Sequence, residues 1–600
     1  MKNIIKFLIL LPFLSGCADM FNPAIENYRE QEALYKEPGL AQGLLGHAYV
    51  NNMGIGNWSF LDVATDNAVS NDPNNGYLKM ATGQWTAYNS PMNGYWQNWR
   101  ASIQYINLFI SIVDQVKWAN DSIDAELFRQ RMTGDAYGMR AYYLYHLIQV
   151  HAGWTESGDL LGVPIVNQPE DVNSNFNVPR NTLQECVEQI YADVQVATDN
   201  LPSFYGDVAA DNQVPDKYRN KGVNAAQYTR VFGSASGNRM VGAIAEAIRA
   251  QATLLAASPA YSPGTKYTYA NAADQFAIVL AHLGSDPVGQ IDPNGHTWYT
   301  NTKEIDNLKS GINPKEILWR SNNGKTTNPN QDMPNTIEAN NFPPTLFGKG
   351  RVNPTQNLVD AFPMANGYPI TDPASGYNPN DPYAGRDPRL GLYIIYNGSK
   401  AGTNNTVITT AADGTDNNAL GKTETSTRTG YYMKKLMRQD VNANPSSYNP
   451  QNHYQPYIRY TELFLGYAEA ANEAWGPTGT GTHGYSAYDV IKAIRARAGV
   501  GKDNGDAYLE SIKGNKDAMR ELIRNERRLE LCFEEFRFWD LRRWKAPINE
   551  PAKGMRITNG NNYQLIPSVE VRAYTDYMYF CPVPNSEILK FSALVQNKGW

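Results

Sequence analysis

"RNERRLELCFEEFRFWDLRRWK", residues 524–545, sets seven basic and five acidic side chains among Leu, Phe and Trp. Such a run is either a surface that binds a charged ligand or a helix whose charges pair within the fold. Spacing separates the two. On a helix over 518–545, Leu522, Leu529, Phe533 and Phe536 fall on one apolar stripe. Glu534–Arg537, Arg537–Asp540 and Asp540–Arg543 are opposite charges three apart, on adjoining turns. Seven positive less five negative charges leave only +2 over 22 residues, with the signs interleaved, whereas an anion-binding patch is one-sided. The stretch therefore reads as an amphipathic helix whose charges pair with neighbouring helices. Arg527 and Arg528 are expected to be scaffold.

Working outward, helical periodicity recurs along the chain. It follows Pro38 in "PGLAQGLLGHAYVN", and it appears over 95–116, 125–153, 182–202, 240–258, 271–283, 457–475 and 487–500. Trp99, Ile103, Ile106 and Ile110 share a face of the second of these, and Thr182 is a plausible N-cap. The helices come in pairs. "GMRAYYLYHLIQ" and "AIRAQATLLAAS" both place Arg-Ala ahead of apolar and small residues, and "LFLGYAEAANEAW" shares the small-residue spacing. Small residues at helix contacts suit tetratricopeptide-like stacking. Residues 285–450 differ: Gly, Asn, Pro, Asp and Thr dominate around short strand-like pieces such as "EILWRS" and "GYYMKKLM". The expected fold is mainly α, a scaffold of helix pairs carrying a loop-rich lobe with short β-hairpins. The end of the chain, from "MYFCPVPNSEI" on, reads as extended.

The 600-residue chain is 42% hydrophobic, enough for a sizeable core, and its net charge of −6 excludes phosphate-driven nucleic-acid binding. "MKNIIKFLILLPFLSGC" joins Lys2 and Lys6 to an apolar run too short to span a bilayer, then Ser15-Gly16-Cys17. Small residues before a Cys at the end of such a run resemble a lipobox. Residues 1–16 are then a signal peptide, and 17–33 a tether whose Cys17 carries the lipid anchor. Cys186, Cys532 and Cys581 are odd in number, widely spaced and lack C-x-x-C, which argues against a disulfide framework or zinc site. His146 and His151, five apart, lie on different sides of a helix. No G-x-S-x-G or P-loop is present, and Glu534-Glu535 diverge on a helix and would not flank one glycosidic bond. "SNDPNNG", "DPNGH" and "DGTDNN" do not match a calcium loop, although scattered loop oxygens could hold calcium. The chain is thus expected to be no enzyme and to need no cofactor or metal.

Sugar binding needs an aromatic face for C–H bonds and planar polar groups for hydroxyls. Trp85 in "TGQWTAYNS" and Trp298-Tyr299 in "DPNGHTWYTNT" stand in polar surroundings that no apolar stripe claims. A buried core position is the competing reading for both tryptophans. Trp319 in "EILWRS" alternates like a core strand residue.

The order of motifs resembles one family throughout the chain. A lipobox is followed by "DVATDNAV", a Trp-rich helix, "MRAYYLYHLIQVHAG" with "GVPIV", and "IRAQATLLAASPAYS". "NPTQNLVDAFPMANGYPI", "GRDPRL", "TGYYMKKLM", "YIRYTELFLGYAEAANEA", "IRARAGV", the 524–545 stretch, "CPVPNSEI" and "QNKGW" come after. This is similar to the SusD/RagB outer-membrane lipoproteins. The resemblance implies four tetratricopeptide-like helix pairs divided between 34–284 and 451–600, with 285–450 as the ligand-facing lobe. It also implies an outer-membrane, lipid-anchored protein facing the cell exterior, which captures oligosaccharide and sits as a lid on a SusC-like TonB-dependent transporter. A peptide-binding, RagB-like lid or a purely structural lid is the alternative. The family's ligand face places Asp66, Asn67 and Trp85 in one candidate region and Trp298, Tyr299 and Trp319 in a second.

Overall fold

The computed structural model describes residues 32–50, 60–309, 311–322, 324 and 337–600. The expected signal peptide, Cys17 and tether residues 18–31 lie outside these residues, while the tether's Glu32 and Ala33 begin a short helix, Glu32–Lys36. The fold is mainly α. Its scaffold helices are α1 (Pro38–Val50), α2 (Asn93–Ile112), α3 (Ser122–His151), α4 (Leu183–Asn200), α5 (Gly242–Ala257) and α6 (Tyr269–Leu280). After the lobe come α7 (Tyr460–Trp475), α8 (Ala487–Arg497), α9 (Lys516–Glu530) and α10 (Phe536–Arg543).

Local chemistry sets several of these boundaries. Pro38 opens α1, where its missing N–H costs nothing. The Asp121 side chain accepts from the Asp124 N–H at the start of α3. Thr182 caps α4 in a reciprocal box with Glu185: the Glu185 N–H donates to Thr182 Oγ1 at 3.2 Å, and the Thr182 N–H donates to Glu185 Oε2 at 2.8 Å. The helices then pack in series, α1 on α2, α2 on α3, α3 on α4, α4 on α5, α5 on α6, α6 on α7, and α7 on α8 and α9. The lobe is thus inserted between two helices, α6 and α7, that pack as neighbours. Gly466 of α7 shows why a small residue is needed at such a contact: a Cβ there would meet Phe276 Cζ of α6 at 2.4 Å.

The strands form small antiparallel pairs. β1 (Ala68–Ser70) pairs with β3 (Val352–Pro354), and β2 (Ile317–Arg320) with β4 (Pro456–Arg459). β5 (Ala552–Thr558) and β6 (Asn562–Glu570) make a hairpin that the sequence pattern did not announce. Two main cores result. One fills the helical scaffold. The other joins Trp298, Tyr299, Phe342 and Tyr393 of the lobe to Val63 and to Leu529, Cys532 and Phe533 of the 524–545 stretch.

That stretch is not one helix. α9 stops at Glu530 and α10 starts at Phe536, and between them Phe533 and Glu535 adopt left-handed backbone, with φ of 63° and 71°. The turn drives Phe533 into the second core, where it is fully buried. The charges therefore reach further than one helix allows. Glu534 meets Lys435 and Arg459 rather than Arg537, and Arg537 meets Asp66. Arg527 and Arg543 both hold Asp540, at 2.7 and 2.8 Å. The end of the chain also departs from a purely extended run, since Asn585–Lys590 is a short helix. Among the described residues, no helix is long and apolar enough to cross a membrane.

Candidate functional site

Helix α3 carries Tyr142, Tyr145, His146 and Gln149, spaced by three, one and three residues, on one side. Strand β4 runs past this stripe, and the 533–536 turn closes beneath it. The three elements bound a cleft, with Tyr142, Tyr145, His146 and Gln149 on one wall and Pro456 and Tyr457, with the adjoining Gln455, on another. Glu535, Phe536 and Trp539 form its floor. The cleft continues past Tyr457 and Phe536 to Trp298, Leu436 and Arg459.

The walls are held by ring contacts. Trp319 stands edge-on to Tyr142 at 5.2 Å and to Tyr457 at 5.1 Å, because the β2–β4 register sets Trp319 opposite Ile458. The Tyr142 and His146 rings meet edge-on at 4.4 Å. Gln149 Nε2 donates to the Tyr145 hydroxyl at 3.1 Å, and Gln251 Nε2 donates to Glu462 Oε1 at 2.8 Å. Burial pulls the His146 imidazole down to about 4, so the ring is neutral at neutral pH. Burial raises the Glu535 carboxyl well above the usual range, and the nearby Asp62 carboxyl adds to it. Asp62 is itself pushed up to about 6 by burial. Glu534, next in sequence, is held by Lys435 at 2.6 Å and by Arg459 at 2.7 Å.

The residues singled out from the sequence fall in different places. Trp298 lies at one end of the cleft and is 6% exposed. Trp319 is buried behind the wall, its Nε1 donating to the Asn238 carbonyl at 3.2 Å, and it supports the cleft without lining it. Tyr299 borders a separate hollow with Thr300, Thr302, Thr403 and Asn405; its ring is buried and its hydroxyl donates to the Leu392 carbonyl at 3.4 Å.

Trp85 is not an exposed platform. It is 2% exposed, with Trp600 at 4.8 Å, Tyr574 at 6.1 Å and Phe538 at 6.2 Å around its ring. Its Nε1 donates to Ser90 Oγ at 3.0 Å. The polar neighbours in its sequence occupy a surface loop, while the indole turns inward.

Asp66 and Asn67 are likewise tied into the frame. Asp66 accepts two hydrogen bonds from Arg537, each at 2.8 Å, and pairs with Arg528 at 3.0 Å. Burial alone would raise the Asp66 carboxyl; the Arg528 and Arg537 guanidiniums outweigh it and hold the group well below the usual carboxylate range. Asn67, fully buried, donates to Asp62 and accepts from Arg528 Nε, both at 2.8 Å.

Tyr142, Tyr145, Gln149, Gln455 and Tyr457 were not singled out from the sequence. One signal for them existed: a stripe of Tyr, Tyr, His and Gln at helical spacing inside the largely apolar "MRAYYLYHLIQV". Among the described residues, no group of three or more His, Cys, Asp or Glu is placed to hold a metal ion.

Comparison with known proteins bears on the whole chain. Residues 315–600 match the model of the SusD family, and residues 27–213 match a family described as "Starch-binding associating with outer membrane". No curated protein sequence matches. Among solved structures, a SusD-like protein from Bacteroides fragilis is similar with a TM-score of 0.70 at 23% identity, over 96% of this chain and 100% of that one. A SusD-like carbohydrate-binding protein from the same species gives 0.65 at 21% identity, over 94% and 99%. A laminarin-binding SusD-like protein gives 0.55 at 17% identity, over 94% and 100%. The fold is shared along the full length of these structures, and the two family models match parts of both halves of the scaffold; the chain belongs to the SusD family.

Proposed function

We propose that this protein is a cell-surface glycan-binding lipoprotein, a binder and not an enzyme, that captures oligosaccharide and passes it to a SusC-like TonB-dependent transporter over which it sits as a lid. The observation that carries the reading is the cleft: tyrosine and tryptophan rings stand beside the planar amides of Gln149, Gln251 and Gln455. Aromatic faces take the C–H side of a sugar ring and amides take its hydroxyls. The matching family, described as starch-binding and associating with the outer membrane, supports it. So do the neighbours described as carbohydrate-binding and laminarin-binding. A hydrolase would need two carboxyls facing each other across a bond; here the lining carboxyls Glu534 and Glu535 are adjacent, and Glu534 is taken up by two cations.

Affinity electrophoresis against a polysaccharide panel tests the reading, and retardation by at least one glycan is expected. Tyr457→Ala should weaken that binding about tenfold, equivalent to about 1.4 kcal/mol. The figure combines a ring contact of about 0.5–1.5 kcal/mol with apolar burial at about 25 cal/mol per Å². Unchanged affinity in a folded Tyr457→Ala protein would remove the cleft as the site. Binding of extended peptides but of no glycan would favour the peptide-binding alternative.

Membrane attachment is proposed to run through Cys17. In Cys17→Ala, lipid attachment should be lost, so that the protein appears in a soluble fraction or its precursor accumulates. Normal surface display and detergent partitioning of Cys17→Ala would exclude the lipobox.

A further inference from the structure

The charges on the cleft wall bear on which ligands can enter. Arg459 is the guanidinium among the lining residues, and it is fully engaged. Its Nε lies 2.7 Å from Glu534 Oε2, its Nη1 lies 2.7 Å from Glu316 Oε1, and its Nη2 donates to the Glu530 carbonyl at 2.6 Å. Lys435, behind the turn, is held by Glu534 at 2.6 Å and by the carbonyls of Glu530 and Cys532 at 2.7 and 3.0 Å. His146 shares a hydrogen bond with Gln149 at 3.4 Å and is neutral at neutral pH. Glu535 lines both ends of the cleft and has no ion pair among the described residues. The remaining polar side-chain groups of the lining are glutamine amides, tyrosine hydroxyls and the uncharged indole N–H groups of Trp298 and Trp539.

A carboxylate or sulfate entering this space would leave water for walls whose cations are already paired, which is costly. An uncharged sugar meets no such penalty, since its hydroxyls are satisfied by amides and hydroxyls. We propose that the cleft takes uncharged saccharides and rejects chains bearing uronate or sulfate groups. This rests on the reading of the cleft as the glycan site.

The test uses the full-length protein in detergent, with starch, laminarin and galactomannan as neutral probes and polygalacturonate and chondroitin sulfate as polyanions. Retention by at least one neutral probe, at least tenfold stronger than by either polyanion and weakened by Tyr457→Ala, is the expected result. Glu535→Lys should raise polyanion binding at least tenfold. Gln455→Lys, which places a cation on the other wall, should do the same if the first variant does not fold. A polyanion bound as tightly as the neutral probes and released by Tyr457→Ala keeps the cleft as the site and overturns its neutrality. Neutral glycan bound equally by wild type and Tyr457→Ala removes the cleft itself, and the proposal with it. The two fall together if no probe is retained.

Discussion

Arg389→Met should destabilise the protein by about 3–5 kcal/mol at neutral pH, the cost of removing one partner from a buried charge cluster. Arg389 is fully buried, with Asp387 at 2.6 Å, Glu526 at 2.8 Å and Glu530 at 2.9 Å. Arg495 and Arg497 complete the cluster on Glu526 and Glu530, at 2.9 and 2.8 Å. The Met side chain fills much of the space but leaves three carboxylates short of a cation. Acid should narrow the gap. Burial alone would raise the Glu530 carboxyl, but Arg497, Arg389 and Arg459 outweigh it and hold the group well below its ordinary value. A carboxyl depressed on folding contributes stability that is complete above its unfolded value, about 4.3, and is lost as pH falls through the folded value. Denaturant titrations of the two proteins should therefore differ most near pH 7 and converge below about pH 4. A difference under about 1 kcal/mol at pH 7 would mean that the cluster adds little.

Trp85→Ala should cost about 3–5 kcal/mol of stability, as truncation of a large aromatic side chain in a packed core does. The indole is enclosed by Phe538, Tyr574 and Trp600, and the Arg542 guanidinium lies 5.6 Å over its ring. Glycan affinity per folded molecule should stay the same, because the ring has no exposed face. Calorimetry paired with a melting curve separates the two effects. A folded, equally stable Trp85→Ala protein that had lost its glycan affinity would restore Trp85 as a ligand platform.

The fate of Trp85 shows where sequence reading stops. Its polar flanks, Gly83-Gln84 and Thr86, describe the loop and not the indole, which packs on Phe538, Tyr574 and Trp600, far along the chain. The helices were legible because their signals are local: a capping box at Thr182, Pro at the first turn of α1, apolar spacing along α2. The break inside 524–545 was not legible. Left-handed backbone is usually announced by glycine, and here it falls on Phe533 and Glu535. What holds it is tertiary: a phenyl ring in the second core, and Glu534 drawn to Lys435 and Arg459. The cleft lay between these cases. Its α3 stripe had a helical period, but a stripe of aromatics does not say whether it faces core or solvent until β4 is placed against it.

The last residues of the chain finish a core begun near its start. Trp600 packs on Trp85, Asn597 Nδ2 donates to the His151 carbonyl at 3.1 Å, and the Lys598 N–H donates to the Trp154 carbonyl at 2.7 Å. Arg528 and Arg537 reach back in the same way to Asp66. A chain synthesised from its N-terminus thus cannot complete the packing around Trp85 and His151 until residues 597–600 have emerged. Contacts of such sequence separation are slow to form, because the loop between them must close first. Until then the Trp85 ring lacks its Trp600 cover and is open to other chains, as in the aggregation-prone intermediates of large proteins. Closure of this core waits on residues 597–600, and an unfinished chain would depend on chaperone cover for that whole interval.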